Sequence, residues 1–547
     1  MNQTVIVLGG GVAGMTAAHE LAERGYSVTV YEHKQVAGGK ARSVDVPNSA
    51  TEGRKSLPGE HGFRYIPRFY RHVPDTLKRI PYAGNSNGVY DNLVDTTRLE
   101  WVSDGQAPFL TITRFPRSVD DLEVLVRECT HGIPDLEPGE FGYFSARIWQ
   151  VLTSCRSRRF DEYERIGWWD FIGAASRSAA YKKYLAVGMT RSLVASQAKL
   201  ANARTLGDIL IQLMFDVIEP GASTDRVLNG PTNDVWINPW LEHLRSLGVD
   251  YQFGCNVTGI NVENGKVSSA TISRNGGPEE TVTGDYFIAA VPIEVMTTLI
   301  TPDLLAIDPT LAGIQILAPQ TAWMNGIQFY VTEPLALPHG HQLYLDSLWA
   351  ITSLSQGQFW DSTNLAEYGD GTVRDILSVD ISDFNTPGLN GKAAIDCTRE
   401  EIADETWKQL KLALNFETEI LRDDHLHSWF LDADITSGNY TGHTERNLEP
   451  LLLNLIKSWV HRPTAHTLVP NLFLAADYIR TNTDLATMEG ASEAARRAVN
   501  SLLDASGSSA SFCTIWDLHE PDILWPWRKH DQTRYDAGLP WDGKIFG

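Results

Sequence analysis

The chain has 547 residues, more than one hydrophobic core usually serves, so at least two structural units are expected. A formal charge of −22 argues against nucleic acid as a partner, because binding phosphates needs an excess of Lys and Arg. Five scattered cysteines without metal-ligand spacing, no signal peptide and no stretch long enough to span a membrane together predict a cytoplasmic protein.

A short apolar strand, a glycine-rich turn and a helix open the chain. Residues 5–8 fit a buried parallel strand, and the pattern G-x-G-x-x-G follows directly. In such a turn the first glycine permits the tight bend, the second admits a pyrophosphate to the backbone, and the third lets helix and strand pack closely. The residues of this turn expected at a dinucleotide are Gly9, Gly11, Val12, Ala13 and Gly14.

A second strand, Ser27 to Tyr31, ends at Glu32, which lies 18 residues beyond Gly14, where an acid that binds ribose is expected. A carboxylate there repels a 2′-phosphate, so the nucleotide is predicted to be NAD or FAD, with His33 at the same site. A glycine-rich turn in a nucleotide-free sheet is the alternative, but it does not account for the order of strand, glycines, helix, strand and acid.

Two more glycines and two cations follow in "VAGGKARS", residues 36–43. This segment can wrap a second stretch of backbone around the same diphosphate, although a solvated basic turn is an alternative. Here the sequence resembles the superfamily of flavin-containing amine oxidoreductases and phytoene desaturase-like proteins, in which a G-G-[RK]-x-x-[ST]-like element follows the first glycine motif. The resemblance implies FAD, and the residues it assigns to the cofactor are Gly38, Gly39, Lys40, Ala41 and Arg42.

The next segment, "GEHGFRYIP", resembles bacterial FAD-dependent desaturase-like and hydroxysqualene dehydroxylase-like members of the superfamily. In the family this region passes the flavin ring, so Gly62 is expected to allow close backbone approach, with Phe63 beside it. His61 and Arg64 are the candidate catalytic residues. Two alternatives stay open: His61 binds backbone only, or Arg64 pairs with another charged group such as the diphosphate.

Two later segments complete the resemblance. A strand-rich stretch near residue 257 matches the family's strand that passes the adenine, where Val257 would make backbone contacts. "NLFLAAD" resembles the family's L-[FY]-x-A-G-D strand, with Asp477 at the acid that binds the ribityl chain or diphosphate and Ala476 in place of glycine. The helix after it is expected to point its positive N-terminus at the flavin pyrimidine. Its cofactor residues are Thr487, Met488 and Ala491.

The predicted fold class is α/β, with a discontinuous Rossmann-type FAD-binding domain and an α+β substrate domain. The FAD-binding domain takes residues 1–100, 226–300 and 461–505. Residues 101–225 and 301–460 form the substrate domain, and residues 506–547 are a C-terminal tail packed on the surface. No metal site is predicted, because His425 and His427 lack a third ligand at a suitable spacing.

These features predict an FAD-dependent oxidoreductase that dehydrogenates an apolar isoprenoid, polyene or lipid-like substrate by hydride transfer to flavin N5, in a pocket with few ionisable groups. No cysteine stands in a flavin-linking context, so the FAD is expected to be noncovalent. Oxidation of amines or amino acids, redox-neutral isomerisation or dehydroxylation, and FAD binding without catalysis are the alternatives. Oxygen or a quinone as electron acceptor, peripheral contact with a membrane, and the oligomeric state are left open.

Overall fold

The computed structural model describes residues 3–113, 124, 135–188, 190, 197–218, 223–361, 363–440 and 443–545. Its strands are β1 (Thr4–Leu8), β2 (Ser27–Tyr31), β3 (Ser43–Asp45), β4 (Pro58–Glu60), β5 (Ile66–Pro67), β6 (Leu93–Asp95), β7 (Arg98–Val102), β8 (Phe109–Ile112), β9 (Asp225–Leu228), β10 (Asp250–Gln252), β11 (Cys255–Glu263), β12 (Lys266–Arg274), β13 (Glu279–Val282), β14 (Tyr286–Ala289), β15 (Thr321–Ala322), β16 (Asn325–Val331), β17 (Gly340–Tyr344), β18 (Ile351–Ser355), β19 (Asp375–Ile381), β20 (Leu426–Leu431), β21 (Ile435–Tyr440), β22 (His443–Asn447), β23 (Leu451–Leu452) and β24 (Leu472–Leu474).

Its α-helices are α1 (Val12–Glu23), α2 (His72–Arg79), α3 (Glu140–Thr153), α4 (Arg156–Asp161), α5 (Trp168–Phe171), α6 (Ala203–Ile218), α7 (Asn238–Ser246), α8 (Ile293–Leu299), α9 (Pro302–Ile307), α10 (Ala312–Leu317), α11 (Arg399–Leu414), α12 (Met488–Ala505) and α13 (Trp525–Asp536).

A five-stranded parallel sheet with the order β10-β2-β1-β14-β24 forms the first unit. At its centre Leu8 lies opposite Tyr31 on one side and Ala289 on the other. Strand β1 is buried from Val5 onward, and α1 packs against α12 beside the sheet. Continuous apolar strands of this kind are typical of a parallel sheet covered on both faces. The predicted Rossmann-type α/β fold is confirmed.

The parallel sheet assembles strands that are far apart in the chain. Two of them precede residue 32, two lie between residues 250 and 289, and the last spans Leu472–Leu474. The antiparallel sheet β11-β12-β13 is inserted between β10 and β14. These strands fall within the segments that the sequence assigns to the FAD-binding domain, and the division of the chain into domains stays a prediction.

A seven-stranded mixed sheet with the order β20-β16-β19-β18-β17-β7-β8 forms the second unit. All its neighbouring strands are antiparallel except β17 and β7. Helix α11 covers one face, where Trp407 packs on Phe329, and it begins at a capping box formed by Thr398 and Glu401. Strands and a covering helix of this kind agree with the predicted α+β class.

Helices α3, α5 and α6 pack around a separate apolar core that includes Trp168, Tyr181 and Ile211. They belong to the segment 101–225 of the predicted substrate domain, part of which lies outside the described residues. Among the described helices, none combines the length and the apolar character that crossing a membrane requires.

The C-terminal segment returns from α12 to these helices. Helix α13 packs against α3 and α4, and Asp531 accepts hydrogen bonds from the Arg158 guanidinium at 3.0 Å and from the Cys155 N–H at 2.8 Å. Both charged side chains are almost fully buried, so the segment is anchored and does not merely lie on the surface.

Candidate functional site

The glycine-rich turn after β1 leaves no room for side chains. Gly9 has φ +102°, and a Cβ placed on it would lie 2.6 Å from the carbonyl oxygen of Ala290 at the end of β14. A Cβ on Gly14 would lie 1.9 Å from the carbonyl oxygen of Gly9. The turn, the first turn of α1 with Val12 and Ala13, and the end of β14 therefore meet backbone to backbone, as a dinucleotide cradle requires.

The second glycine element lies directly on the first. Gly38 has φ +104° and pairs with Gly11 in an isolated parallel bridge, and a Cβ on Gly39 would lie 2.8 Å from the Gly11 Cα. Ala41 ends the short 3₁₀ turn that follows. The structure thus brings together the two glycine segments that the sequence assigns to one diphosphate.

Glu32 stands at the end of β2 and is 3% exposed. It accepts hydrogen bonds from the Gly10 N–H at 2.7 Å and the Lys34 N–H at 2.8 Å, and it lies 3.0 Å from His33 Nδ1. Burial opposes ionisation of Glu32, but the contacts with His33 and with the two N–H groups outweigh it and hold the pKa below the ordinary value. An ionised acceptor suited to a ribose diol therefore faces the glycine turn.

Glu32→Ala is expected to weaken FAD binding by about 1–3 kcal/mol, because a hydrogen bond to a charged group contributes on that order. Titration of FAD into the cofactor-free protein, followed by flavin fluorescence, measures the affinity. Glu263→Ala, at an exposed position of β11, is the matched control and should leave the affinity unchanged. An unchanged affinity in the Glu32 variant would show that the ribose assignment is wrong.

The two cations of the second element pair with protein carboxylates. Lys40 Nζ lies 3.3 Å from Glu294 and donates to the carbonyl of Pro450 at 2.5 Å. Since Lys40 keeps part of its surface accessible beside the glycine turns, its predicted contact with the diphosphate stays a prediction.

Arg42 is buried and donates to Glu449 at 3.0 Å and to Asp434. Burial opposes its charge, but Glu449 and Asp434 hold the pKa of the guanidinium above its ordinary value. Lys34 joins the same carboxylates, at 2.6 Å from Asp434 and 3.0 Å from Glu449. Sequence reasoning missed both acids, which follow no motif. Arg42 thus anchors the 432–449 segment, and its role at the diphosphate stays a prediction.

The far end of the chain completes this edge of the sheet. Strand β24 pairs with β14, and Asp477 follows it at the carboxyl edge where β1 also ends. Thr487 caps α12 by accepting from the Gly490 N–H at 3.1 Å, with Met488 as the first helical residue and Ala491 half-buried. Ligands of open parallel sheets bind at this edge, and the N-terminal glycine turn and the segment 477–491 both lie along it.

The first turn of α12 is tied to another helix. Glu489 is buried and accepts from the backbone N–H groups of Arg71, His72 and Val73 at 2.7, 2.8 and 2.9 Å. These are the free donors at the start of α2. The position of the α12 N-terminus therefore depends on α2, a link that no sequence pattern indicates.

Val257, the residue expected to make backbone contacts with the adenine, lies in β11. It is 8% exposed and stands beside a register shift of that strand.

The predicted catalytic segment lies against the seven-stranded sheet. The Gly326 N–H donates to the His61 carbonyl at 2.5 Å, and His61 Nδ1 lies 2.6 Å from Asp432. A Cβ on Gly62 would lie 2.4 Å from an oxygen of Asp380. Gly62 therefore allows the close approach of Asp380, which the sequence does not mark, and its predicted approach to the flavin ring stays a prediction.

Arg64 lies deep in the molecule but keeps part of its surface accessible, because it lines an internal cavity. Its Nε and Nη2 have no hydrogen-bond partner among the described residues. Burial holds the pKa of Arg64 below its ordinary value against the opposing effect of Glu60 and Asp380. Six of the residues that line this cavity are aliphatic or aromatic, namely Phe63, Val227, Leu228, Leu354, Phe359 and Trp360, and the others are Glu60, Arg64, Gly230, Thr232 and Gln356.

One group of possible metal ligands lies outside this region. His19, Glu23 and His243 have ligand atoms close together. The indole N–H of Trp240 donates to His19 Nδ1 at 3.2 Å, so His19 Nε2 holds the ring proton and donates to Glu23 at 3.1 Å. That tautomer leaves His19 no free nitrogen for a metal ion.

Comparisons with known proteins agree with this geometry. A model of the family "flavin containing amine oxidoreductase" matches residues 226–503, and one of an NAD(P)-binding Rossmann-like domain matches residues 7–80. A 15-cis-phytoene desaturase of an Oncidium hybrid cultivar is 20% identical over 515 residues, covering 89% of this chain and 75% of that protein.

Two further comparisons concern oxidases. A flavin-dependent L-tryptophan oxidase of Lentzea aerocolonigenes is 24% identical over 322 residues, covering 54% of this chain and 60% of that protein. Among solved structures, putrescine oxidase bound to putrescine has a TM-score of 0.60 at 13% identity, with 92% of this chain and 99% of the other covered. At that identity the likeness shows the fold alone.

Proposed function

The chain belongs to the family of flavin containing amine oxidoreductases, and from this premise we propose that it forms a double bond in a predominantly apolar substrate of isoprenoid, polyene or lipid-like character. It is an FAD-dependent oxidoreductase. The observation that supports the apolar substrate is the group of aliphatic and aromatic side chains, such as Phe63, Leu354 and Trp360, in the wall of the cavity that Arg64 also lines. Such walls bind a substrate by removing apolar surface from water, at about 25 cal/mol per Å².

Different residues of the chain bind different parts of the cofactor. The two touching glycine turns approach the diphosphate, Glu32 accepts from the adenosine ribose, and Asp477 accepts from the ribityl or diphosphate region. The N-terminus of α12, capped by Thr487, offers N–H groups and a positive dipole end to negative charge on the pyrimidine ring. FAD, held noncovalently, supplies the hydride acceptor. Gly62 brings backbone close to the ring.

Anaerobic mixing of the purified protein with candidate substrates tests this proposal. We expect detergent-solubilised polyenes or isoprenoids to bleach the visible absorbance of the flavin and to yield a product with one more double bond. Bleaching by amines or amino acids alone would contradict the proposal. Conversion without bleaching would indicate redox-neutral chemistry, and reduction by dithionite but by no organic compound would indicate FAD binding without catalysis.

Oxidation of an amine or amino acid is the second candidate, because the cavity contains ionisable groups. The Nε and Nη2 nitrogens of Arg64 have no partner among the described residues, and such a pair of donors suits a carboxylate. The similarity to an L-tryptophan oxidase points the same way. The panel of substrates above separates the two candidates, and either oxygen or a quinone then serves as electron acceptor.

Arg64→Ala is expected to lower turnover by roughly 10- to 100-fold while FAD stays bound, since the guanidinium lines the cavity and a charged hydrogen bond contributes about 1.5–3 kcal/mol. Turnover and flavin content per chain are the measurements. Arg374→Ala, at an exposed position just before β19, is the matched control. Loss of FAD from the Arg64 variant alone would instead assign this side chain to the diphosphate.

A further inference from the structure

Asp380 is a buried carboxylate that lies against the backbone of the predicted flavin segment. It belongs to β19, where it pairs with Gly326 of the neighbouring β16. A Cβ on Gly62 would lie 2.4 Å from its Oδ1, and a Cβ on Gly326 would lie 2.7 Å from the Gly62 Cα. Two facing glycines thus leave no side chain between this carboxylate and the segment that the family resemblance places at the flavin ring.

The carboxylate has free hydrogen-bonding capacity. Its Oδ1 is buried and has no hydrogen-bond partner within the described part of the chain. The side chain lies deep in the molecule yet keeps part of its surface accessible. A buried polar atom without a partner bears an uncompensated desolvation cost, so it needs an explanation, and a catalytic role is one.

Four charged or titratable groups face Asp380 from the packed elements. Burial raises its pKa, the positive groups Arg64, His61 and His341 oppose that rise, and Glu60 adds to it, leaving a pKa of about 7. A carboxyl group with that pKa exchanges its proton readily near neutral pH, where efficient acid–base groups operate.

The neighbouring imidazoles are already matched with other acids. His61 Nδ1 lies 2.6 Å from Asp432 Oδ2, and His341 Nε2 lies 2.6 Å from Asp225 Oδ2. Both of these acids have their pKa held below the ordinary value, despite burial, chiefly by the paired imidazole. Of these three aspartates, Asp380 is the one without an ion pair to an imidazole within the described part of the chain.

Forming a carbon–carbon double bond from a saturated pair of carbons removes a hydride and a proton. The hydride leaves one carbon with its electron pair for the oxidant, which is FAD. The C–H bond of the adjacent carbon breaks, its electron pair becomes the new π bond, and the proton needs an acceptor in a site that excludes water.

We propose that the Asp380 carboxylate is that acceptor and becomes a carboxylic acid as the double bond forms. The inference rests on the proposed function. It assigns a chemical role to an aspartate on the substrate sheet, about 320 positions along the chain from the glycine it touches.

The first test needs no substrate. Infrared difference spectra of the FAD-loaded protein, recorded with ¹³C-labelled aspartate, should show a carboxylic acid C=O band that disappears as the pH rises through about 7. Asp380→Asn should remove this band. A carboxylic acid band of Asp380 that persists above about pH 8 would overturn the proposal, because a carboxyl group that stays protonated cannot accept the proton of the substrate.

The second test follows flavin reduction by the bleaching substrate in single-turnover mixing. The wild-type rate should rise with pH through about 7, since only the ionised carboxylate accepts a proton. Asp380→Asn should reduce flavin at least about 100-fold more slowly and without that pH step, while FAD content and reduction by dithionite stay normal. Asp404→Asn, at an exposed position of α11, is the matched control.

An Asp380→Asn variant that reduces flavin at the wild-type rate with the same pH profile would also overturn the proposal. Failure of the proposed function has a different signature: no polyene or isoprenoid bleaches the flavin of the wild-type protein. In that case the infrared titration still decides whether Asp380 exchanges a proton near pH 7.

Discussion

Gly14→Ala is expected to yield protein that retains no FAD through purification and that unfolds more easily by about 1–3 kcal/mol or more. The added Cβ would lie 1.9 Å from the carbonyl oxygen of Gly9 and 3.4 Å from Val7 Cγ1. The Gly9 oxygen belongs to the backbone and cannot move away alone, because Gly9 is itself packed against the end of β14. A Cβ on Gly9 would lie only 2.6 Å from the Ala290 oxygen. Helix α1 must therefore shift off β1, which opens the diphosphate cradle.

Flavin content per chain and the free energy of unfolding in denaturant measure these two effects. Gly142→Ala is the matched control, because Gly142 lies within α3 and its added Cβ would meet nothing within 4 Å. That variant should be neutral or slightly more stable, since alanine favours a helix by about 1 kcal/mol over glycine. Normal flavin content and stability in the Gly14 variant would contradict the close packing of turn and helix.

Asp484→Ala is expected to lower the free energy of unfolding by about 3–5 kcal/mol, the cost of breaking a buried ion pair from one side. Asp484 is 1% exposed, accepts from Arg204 of α6, and lies 3.0 Å from Arg462 Nε. Both arginines are also almost fully buried. Removing the carboxylate leaves two guanidinium groups in the interior without this counter-charge, although Glu164 still accepts from Arg204 at 3.0 Å.

This carboxylate also connects parts of the molecule. Asp484 stands between β24 and α12, whereas Arg204 belongs to α6. Loss of the Asp484 carboxylate should therefore loosen the α12 N-terminus and weaken FAD binding. Asp404→Ala is the matched control, because Asp404 pairs with Lys408 on the exposed surface of α11 and should change stability by at most about 0.5 kcal/mol. An equal decrease in the free energy of unfolding of the two variants would show that the buried ion pairs stabilise the fold no more than the exposed pair does.

The N-terminal part of the site could be predicted from sequence because its parts are close in the chain. A strand, three glycines, a helix and an acid within residues 4–32 form one local unit whose spacing reflects its geometry. Gly9 and Gly14 make the backbone contacts expected of them, and Glu32 faces the turn. The fold class followed from the same pattern.

The acids that complete the site could not be found in this way. Asp380, Asp434 and Glu449 follow no motif. Asp380 reaches Gly62 from the paired strand β19, and Asp434 and Glu449 lie between strands and accept from Arg42, in each case across more than 300 positions of the chain. Their burial is set by the packed elements around them, and an aspartate in a strand is more often exposed. Long-range packing of this kind leaves no periodicity in the sequence.

Helix α12 shows both outcomes in one element. Alanines three and four residues apart are typical of a closely packed helix face, and Ala494, Ala495 and Ala498 are fully buried. Glu489 and Glu493 are buried as well, and each accepts backbone N–H groups of another segment. Since a glutamate in a helix is usually solvent-facing, only the structure reveals that these two side chains tie the start of the helix to neighbouring segments.

FAD is expected to bind noncovalently where the N-terminal glycine turn and the segment after β24 meet. Denaturing the purified protein in acid and removing the precipitate tests this expectation most directly. Mass spectrometry then identifies the cofactor that is left in the supernatant. We expect one FAD per chain in the wild-type supernatant. A colourless protein that FAD cannot reconstitute would contradict the FAD site, and flavin that stays with the precipitate would contradict noncovalent binding.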